Sequence, residues 1–132
     1  MCTDRPLCRR ARAIRLAALL ACVASLGACR DVRPQLAVAG GEPDRGKQAI
    51  ERYGCGSCHI IPGVSGANGL VGPPLIRWSQ RTYIAGEVPN NTENLIRWIE
   101  VPQAIEPKTD MPNLGVSQGD ARDIAAYLYT IR

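Results

Sequence analysis

The chain has few histidines for a metal site, and its main apolar run is short. It has a single histidine, His59, and no cysteine after Cys58. A structural zinc site takes four Cys or His ligands, so here it would have to borrow a carboxylate. The main apolar run, Leu16 to Ala28, has 13 residues and is too short to span a bilayer as a finished helix. The sequence therefore argues against a zinc module and points to another role for the apolar run.

The first 28 residues have the composition of a secretion signal. Residues 1–15 carry five arginines against one aspartate, and the apolar run that follows them ends in the small residues Gly27 and Ala28. A charged segment, a short apolar segment and small residues before the cleavage point are typical of such signals. We predict that residues 1–28 are a lipoprotein-type signal and that the protein acts on the extracytoplasmic, periplasmic side.

Cys29 is the candidate membrane anchor. Leu26-Gly27-Ala28-Cys29 resembles the lipobox of bacterial lipoproteins, in which the cysteine is lipidated and becomes the mature N-terminus. The alternatives are ordinary cleavage near this point, an uncleaved anchor, or a second lipobox at residues 19–22. We prefer Cys29, because an unpaired cysteine here otherwise has no partner in a secreted domain. Residues 29–43 then form the lipidated cysteine and a flexible tether.

Removal of the signal would also remove the positive charge of the chain. The whole chain has a formal charge of +4, whereas residues 29–132 contain 11 Lys plus Arg and 11 Asp plus Glu. Because the mature protein would be neutral, nothing in its charge suggests a nucleic-acid partner.

The central motif is Cys-Gly-Ser-Cys-His at residues 55–59, which is typical of covalent haem attachment. Cys55 and Cys58 can each form a thioether to one vinyl group of the same porphyrin, and His59 offers an imidazole to the iron. The alternatives are a redox disulfide or half of a zinc site. A thioredoxin-like dithiol has no use for the adjacent histidine. We therefore predict one covalently bound haem c.

Two later residues are candidates to complete this site. The carbonyl of Pro73 can accept a hydrogen bond from the imidazole, as iron-bound histidines require, although a rigid turn alone would also explain the paired prolines. Met111 lies in a polar loop outside any apolar stripe, and its thioether is a good sixth iron ligand. The alternative for Met111 is a buried side chain that fills a gap. An arginine near the pocket could also pair with a haem propionate.

Hydrophobic periodicity predicts three helices. The first would be capped by Asp44 and the second by Thr92, and Ser117 would open the third with a variant capping box. Gly46 would cost about 1 kcal/mol in a free helix, so we expect the last helix to approach it closely. The predicted apolar faces contain, in order, Ala49, Ile50 and Tyr53; Leu95, Ile96, Trp98 and Ile99; and Ala121, Ile124, Ala125, Leu128 and Ile131.

These features, in this order, resemble a class I cytochrome c over about residues 42 to 132. The resemblance implies a small all-α domain at residues 44–132, with three to four helices around one covalently bound haem. It implies iron ligation by His59 and Met111 and a hydrogen bond from His59 to Pro73. It also places Arg81 and Thr109 near the propionates and Trp98 near the methionine sulfur.

Residues 89–95 and 102–105 look like the haem domain fused to subunit II of some bacterial terminal oxidases. The chain lacks the paired transmembrane helices and the copper-binding pattern of those subunits. We therefore expect a membrane-tethered one-electron carrier of a respiratory chain, not an enzyme, with redox proteins as partners and no small-molecule substrate. The alternatives are a catalytic or sensory haem domain in which a small ligand displaces Met111, and a non-transferring assembly subunit.

Overall fold

A computed structural model of the chain describes residues 38–132. The predicted signal, the lipidation site Cys29 and most of the predicted tether lie outside those residues. None of the helices in the described part is long and apolar enough to cross a membrane.

The described part is built from three α-helices, as the periodicity predicts. They are α1 (Pro43–Arg52), α2 (Thr92–Glu100) and α3 (Gln118–Thr130). Two short antiparallel strands, β1 (Tyr83–Ile84) and β2 (Val88–Pro89), form a hairpin between α1 and α2. Short 3-10 helices cover Cys55–Ser57, Trp78–Gln80 and Pro102–Ala104. The predicted all-α architecture is confirmed.

Two of the three predicted helix caps are wrong by one or two residues. Helix α1 has Glu42 as its N-cap, with no side-chain hydrogen bond, and Pro43 at its first position, where no backbone N–H is needed. Helix α2 is capped by Asn91, whose side chain accepts from the N–H of Asn94 at 2.9 Å. Helix α3 is capped by Ser117, as predicted.

Helices α1 and α3 cross at Gly46. A Cβ atom added there would overlap the backbone carbonyl of Asp123, so only glycine allows this approach. Ala49 of α1 and Ala121 and Ala125 of α3 are fully buried, and these small side chains let the two helices lie close together. The close approach expected at Gly46 is confirmed.

A carboxylate of α3 fastens the start of α1 to this crossing. Asp123 is only 6% exposed and accepts from the backbone N–H of Glu42 at 2.8 Å and from Arg45 Nε at 2.8 Å. The hydrogen bond from Arg45 is the main cause that lowers the pKa of Asp123, and the N–H of Glu42 acts in the same direction. Sequence reasoning missed this contact, which we call the Asp123 latch.

A second carboxylate of α3 ties the end of α1 to the helix cap. Asp120 accepts from Tyr53 Oη at 2.8 Å, from Ser117 Oγ at 2.9 Å and from Arg52 Nη2 at 2.7 Å. These hydrogen bonds, with Tyr53 the largest contributor, lower the pKa of Asp120. Both ends of α1 are therefore held to α3 by ionised carboxylates.

The packed chain begins before the boundary predicted from the sequence. Val38 is 6% exposed, and its carbonyl accepts from the N–H of Gly41 at 2.9 Å. A Cβ atom at Gly41 would lie 2.9 Å from Cβ of Ala126, on α3. The tether stays a prediction, and residues 38–43 are packed against α3 instead of forming part of a free linker.

Candidate functional site

A cavity of about 410 Å³ is enclosed by the three helices and the loops between them. This is within the usual volume range of ligand pockets. Ile50, Leu95, Ile99, Ile124 and Leu128 make its walls largely aliphatic. The sequence-predicted residues Cys55, Cys58, His59, Pro73, Arg81, Trp98, Thr109 and Met111 all line it. The fold thus brings the whole predicted set together around one apolar space.

The two cysteines lie on a tight turn that follows α1. Gly54 has a φ of 70°, a left-handed conformation that glycine adopts without strain, and the 3-10 helix Cys55–Ser57 starts directly after it. Both thiols are free in the structure. Burial raises the pKa of the Cys55 thiol, whereas the attacking thiol of a redox dithiol has a lowered pKa. The raised pKa of Cys55 is the opposite of what an attacking thiol in disulfide exchange needs.

The imidazole of His59 is oriented by the turn that contains Pro73. His59 Nδ1 lies 2.8 Å from the carbonyl oxygen of Pro73. Because a carbonyl can only accept, Nδ1 carries a proton, and in the neutral imidazole Nε2 is then the nitrogen with the free lone pair. Gly72 makes room for the ring, since a Cβ atom there would overlap the imidazole. The structure therefore holds His59 in the tautomer that a metal ligand needs.

The predicted partner of His59 lies on a loop between α2 and α3. Met111 lines the same cavity as His59. Its N–H donates to Thr109 Oγ1 at 3.2 Å, and its carbonyl accepts from Gln103 Nε2 at 2.8 Å. Thr109 therefore contacts the backbone of Met111 in addition to lining the cavity. Gln103 was missed, because nothing in the sequence marks it as a neighbour of Met111.

Arg81 and Trp78 form a stacked pair in the cavity wall. The guanidinium of Arg81 lies 4.9 Å from the centre of the Trp78 ring and donates to the carbonyls of Pro74 and Ile76. Partial burial lowers the pKa of Arg81, but an arginine stays charged at neutral pH. The pair therefore presents a positive charge at a wall that is largely aliphatic, although Glu106 and Asp110 also line the cavity.

One buried polar atom of the wall lacks a partner. Among the described residues, Trp78 Nε1 is the buried side-chain nitrogen or oxygen without a hydrogen bond. Buried donors are nearly always paired, so this N–H is consistent with an acceptor on a bound group. Nothing in the sequence marks Trp78 as part of the site, and its orphaned donor is visible only in the structure.

The donor set fits a haem. Cys55, Cys58 and His59 approach the cavity from the turn after α1, and Met111 approaches it from the loop after α2. The aliphatic walls suit a porphyrin face, and Trp78 and Arg81 supply an N–H and a positive charge for its carboxylates. These residues could therefore hold a haem covalently.

Two aliphatic side chains stand exposed next to the cavity. Leu70 and Val71 are 83% and 82% exposed, and Val71 also lines the cavity. They directly precede Gly72, whose backbone lies against the imidazole. This part of the surface is apolar and uncharged.

The chain is similar to a known family and to two known proteins. A family model described as cytochrome c matches residues 43–132. Cytochrome c oxidase subunit 2 of Alkalihalophilus pseudofirmus is 33% identical over 90 residues, which cover 67% of this chain and 25% of that protein. The chain thus spans about a quarter of the length of that relative. Cytochrome c2 from Rhodobacter sphaeroides, a solved structure, has a TM-score of 0.49 and 21% identity, over 69% of this chain and 96% of that one.

Proposed function

The chain belongs to the cytochrome c family, and on that premise we propose that it is a membrane-tethered, monohaem electron carrier with His59 and Met111 as iron ligands. It has the small all-α class I cytochrome c fold. The family implies covalently bound haem c and electron transfer between redox proteins. The finer assignments rest on the residues around the cavity.

Haem supplies a one-electron couple, and a thioether ligand raises its reduction potential. The chain's own residues then bind and orient the group. Cys55 and Cys58 would attach it, His59 Nε2 and the sulfur of Met111 would ligate the iron, and Pro73 would keep the imidazole oriented. Trp78, Arg81 and Thr109 would bind the propionates, and Trp98 would pack near Met111.

The single observation that carries the proposal is that His59 and Met111 line one cavity. With both residues as ligands, the iron would have no position for a substrate, and the haem would supply electron transfer alone. Rigid ligands limit reorganisation between the two oxidation states. The orientation of His59 by Pro73 and the backbone contacts of Met111 support such rigidity.

The proposed partners are a terminal oxidase or a related respiratory complex. One relative of this chain is a cytochrome c oxidase subunit 2, which supports that class of partner. The uncharged surface at Leu70 and Val71 would let a partner approach the cavity without fixed charge pairs. We place the protein on the extracytoplasmic side, held to the membrane through Cys29.

Removal of Met111 tests the ligand assignment. In Met111→Ala we expect covalent haem to be retained, since both cysteines and His59 remain. The weak thioether-to-iron absorption band should disappear and the reduction potential should fall markedly, because the ligand that favours the ferrous state is lost. Visible spectroscopy and potentiometric titration measure both.

Leu114→Ala is a suitable control for this experiment. Leu114 lies on the same loop, lines the same cavity and is 41% exposed, so its truncation should keep the band and the potential. An unchanged potential in Met111→Ala would rule out this ligand. A high-spin ferric form in the native protein would instead favour a catalytic or sensory domain.

Replacement of the proposed lipidation site tests the anchor. Cys29→Ser should move the protein from the membrane fraction to the soluble fraction, because the acyl chains that hold it there are absent. Fractionation followed by haem staining detects the change. Cys22→Ser is the matched control and should stay with the membrane. If only Cys22→Ser released the protein, the lipidation site would be Cys22 and not Cys29. If both variants stayed in the membrane fraction, the anchor would be an uncleaved helix.

A further inference from the structure

We propose that Gln103 is a positioning residue that holds the backbone of Met111 in place for iron ligation. The inference rests on the proposed function, since it requires Met111 to be an iron ligand. Gln103 does not line the cavity. Its action would therefore be exerted through Met111 and not on the haem.

The Gln103 side chain makes a well-defined contact. Its Nε2 lies 2.8 Å from the carbonyl oxygen of Met111, in a partly buried position. Because a carbonyl only accepts, the amide nitrogen must be the atom that faces it. The N–H of Met111 donates to Thr109 Oγ1 at 3.2 Å. Side chains from two different places thus bind both backbone polar groups of Met111.

Gln103 stands on a rigid support. The 3-10 helix Pro102–Ala104 follows α2 after one residue, and Pro102 is among the most deeply buried residues of the described part. The carbonyl of Pro102 accepts from the N–H groups of Ile105 and Glu106, both at 3.0 Å. Helix α2 is in turn packed into the core through Leu95 and Ile99. Gln103 therefore connects Met111 to the core through α2.

The loop that carries Met111 has few other connections to the fold. Within residues 107–116, the other hydrogen bonds of the described chain join near neighbours, such as the N–H of Thr109 to the carbonyl of Glu106 at 3.1 Å and the N–H of Gly115 to Asn113 Oδ1 at 2.9 Å. The residues Pro107, Lys108, Asp110, Pro112 and Asn113 of this loop are all exposed. The bond from Gln103 is therefore the hydrogen bond that ties this segment to another element.

The hydrogen bond from Gln103 should make Met111 harder to displace from the iron. Without the bond from Gln103, local opening of the loop becomes easier, and the sulfur of Met111 leaves the iron more often. An added ligand then competes more successfully for that coordination position. The effect should be on displacement of Met111 and not on attachment of the haem, because Cys55, Cys58 and His59 are untouched.

The test is displacement of Met111 by imidazole in the haem-loaded, full-length ferric protein. The thioether-to-iron band is followed as imidazole is added to the native protein and to Gln103→Ala. One net hydrogen bond corresponds to about a threefold to tenfold change in an equilibrium, so the variant should lose the band at an imidazole concentration lower by about that factor. Gln48→Ala, on α1 and away from the cavity, is the matched control and should behave as the native protein.

A second variant, Gln103→Glu, tests the same hydrogen bond by a change of pH in a single protein. In Gln103→Glu the side chain can donate to the carbonyl of Met111 only while it is protonated. The imidazole concentration that removes half of the thioether-to-iron band should therefore be near that of the native protein at low pH, and it should fall below the native value as the carboxyl ionises. For the native protein and Gln48→Ala, the ratio of these midpoint concentrations should stay constant with pH. If Gln103→Ala failed to load haem, this pH-dependent comparison would still apply.

The outcomes separate the two proposals. A native protein without the thioether band overturns ligation by Met111, and with it the premise of this inference. A native band together with equal imidazole midpoints in native, Gln103→Ala and Gln103→Glu proteins at all pH values overturns the role of Gln103 alone. A lowered midpoint in Gln103→Ala, with restoration in acidified Gln103→Glu, supports it.

Discussion

The two sides of α3 are stabilised in different ways. Toward α1, small side chains pack tightly, and the polar groups of Asp120, Asp123 and Tyr53 have protein partners. Toward the cavity, Ile124 and Leu128 face an enclosed space whose wall holds the unpaired N–H of Trp78. At the helix crossing, the packing and hydrogen bonds are thus provided by the chain itself. On the cavity side, they require a bound group. Each of three experiments acts on one side of this difference.

The largest effect is expected on the cavity side. In the double variant Cys55→Ala, Cys58→Ala the haem would not be attached covalently, and a haem-free chain would carry a void of about 410 Å³. Without haem its aliphatic walls lose their main contact, and a domain this small has little other apolar burial to sustain its marginal stability. We expect no cooperative unfolding transition by far-UV circular dichroism. Met111→Ala, which keeps both thioethers, should still unfold cooperatively.

Folding of the haem-free double variant with a normal transition would contradict the comparison. It would mean that the crossing alone sustains the domain, or that the walls collapse into the cavity at little cost. Titration of that variant with free haem would then distinguish the two cases, since collapsed walls would not bind it.

The crossing should be weakened next most strongly by Gly46→Ala. The added Cβ overlaps the backbone of Asp123, and backbone cannot turn away as a side chain can. The helices must separate, at an expected cost of about 3 kcal/mol. Thermal or denaturant unfolding of the haem-loaded protein measures it, and the potential should change little because Gly46 does not line the cavity.

Gly119→Ala provides the matched glycine control. Gly119 is on α3, and a Cβ atom there meets nothing within 4 Å, so alanine should stabilise the helix by about 0.5 to 1 kcal/mol. Equal destabilisation by both substitutions would show that the helix crossing at Gly46 is not as close as the structure places it.

A smaller effect, dependent on pH, is expected at the Asp123 latch. The folded-state pKa of Asp123 is lowered, chiefly by Arg45, so its contribution is complete above the ordinary aspartate pKa of about 4. It is lost as pH falls through the lower folded-state value. Asp123→Asn should therefore cost about 2 kcal/mol at neutral pH, and the difference from the native protein should shrink below pH of about 4.

Denaturant unfolding at a series of pH values checks this behaviour. Glu87→Gln, at an exposed position of the hairpin, removes a carboxylate without a partner in the described chain and should parallel the native protein throughout. A constant difference between native and Asp123→Asn proteins from neutral to acidic pH would show that the latch does not depend on the charge of Asp123.

What the sequence can predict depends on how local the signal is. Cys55, Cys58 and His59 form a contiguous motif, and Pro73 and Met111 are marked by residue type, so the amino-acid sequence alone identifies these candidates. Gly46 can be assigned to a helix crossing because glycine destabilises a helix, and close approach by another helix explains why it is there. The family resemblance then supplies the order of the helices and the roles of Arg81, Trp98 and Thr109.

The residues that escaped prediction act through distant contacts. Asp123 looks like a polar residue of α3 until the fold places it against Glu42 and Arg45. Gln103 and Trp78 are similar cases, because a glutamine in a turn and a tryptophan near a proline pair have no distinctive spacing. The predicted N-caps of α1 and α2 are wrong because Asp44 and Thr92 are favourable capping residues. They lie within two residues of the actual N-caps, Glu42 and Asn91.

The Asp123 latch also constrains the order in which the domain can assemble. The hydrogen bond between Glu42 and Asp123 joins residues 81 positions apart, so it forms only after nearly the whole domain has been synthesised from its N-terminus. Until then α1, with 10 residues, is too short to be stable by itself. The turn that carries Cys55 and Cys58 follows α1 directly, so its position in the fold depends on the packing of α3 against that helix.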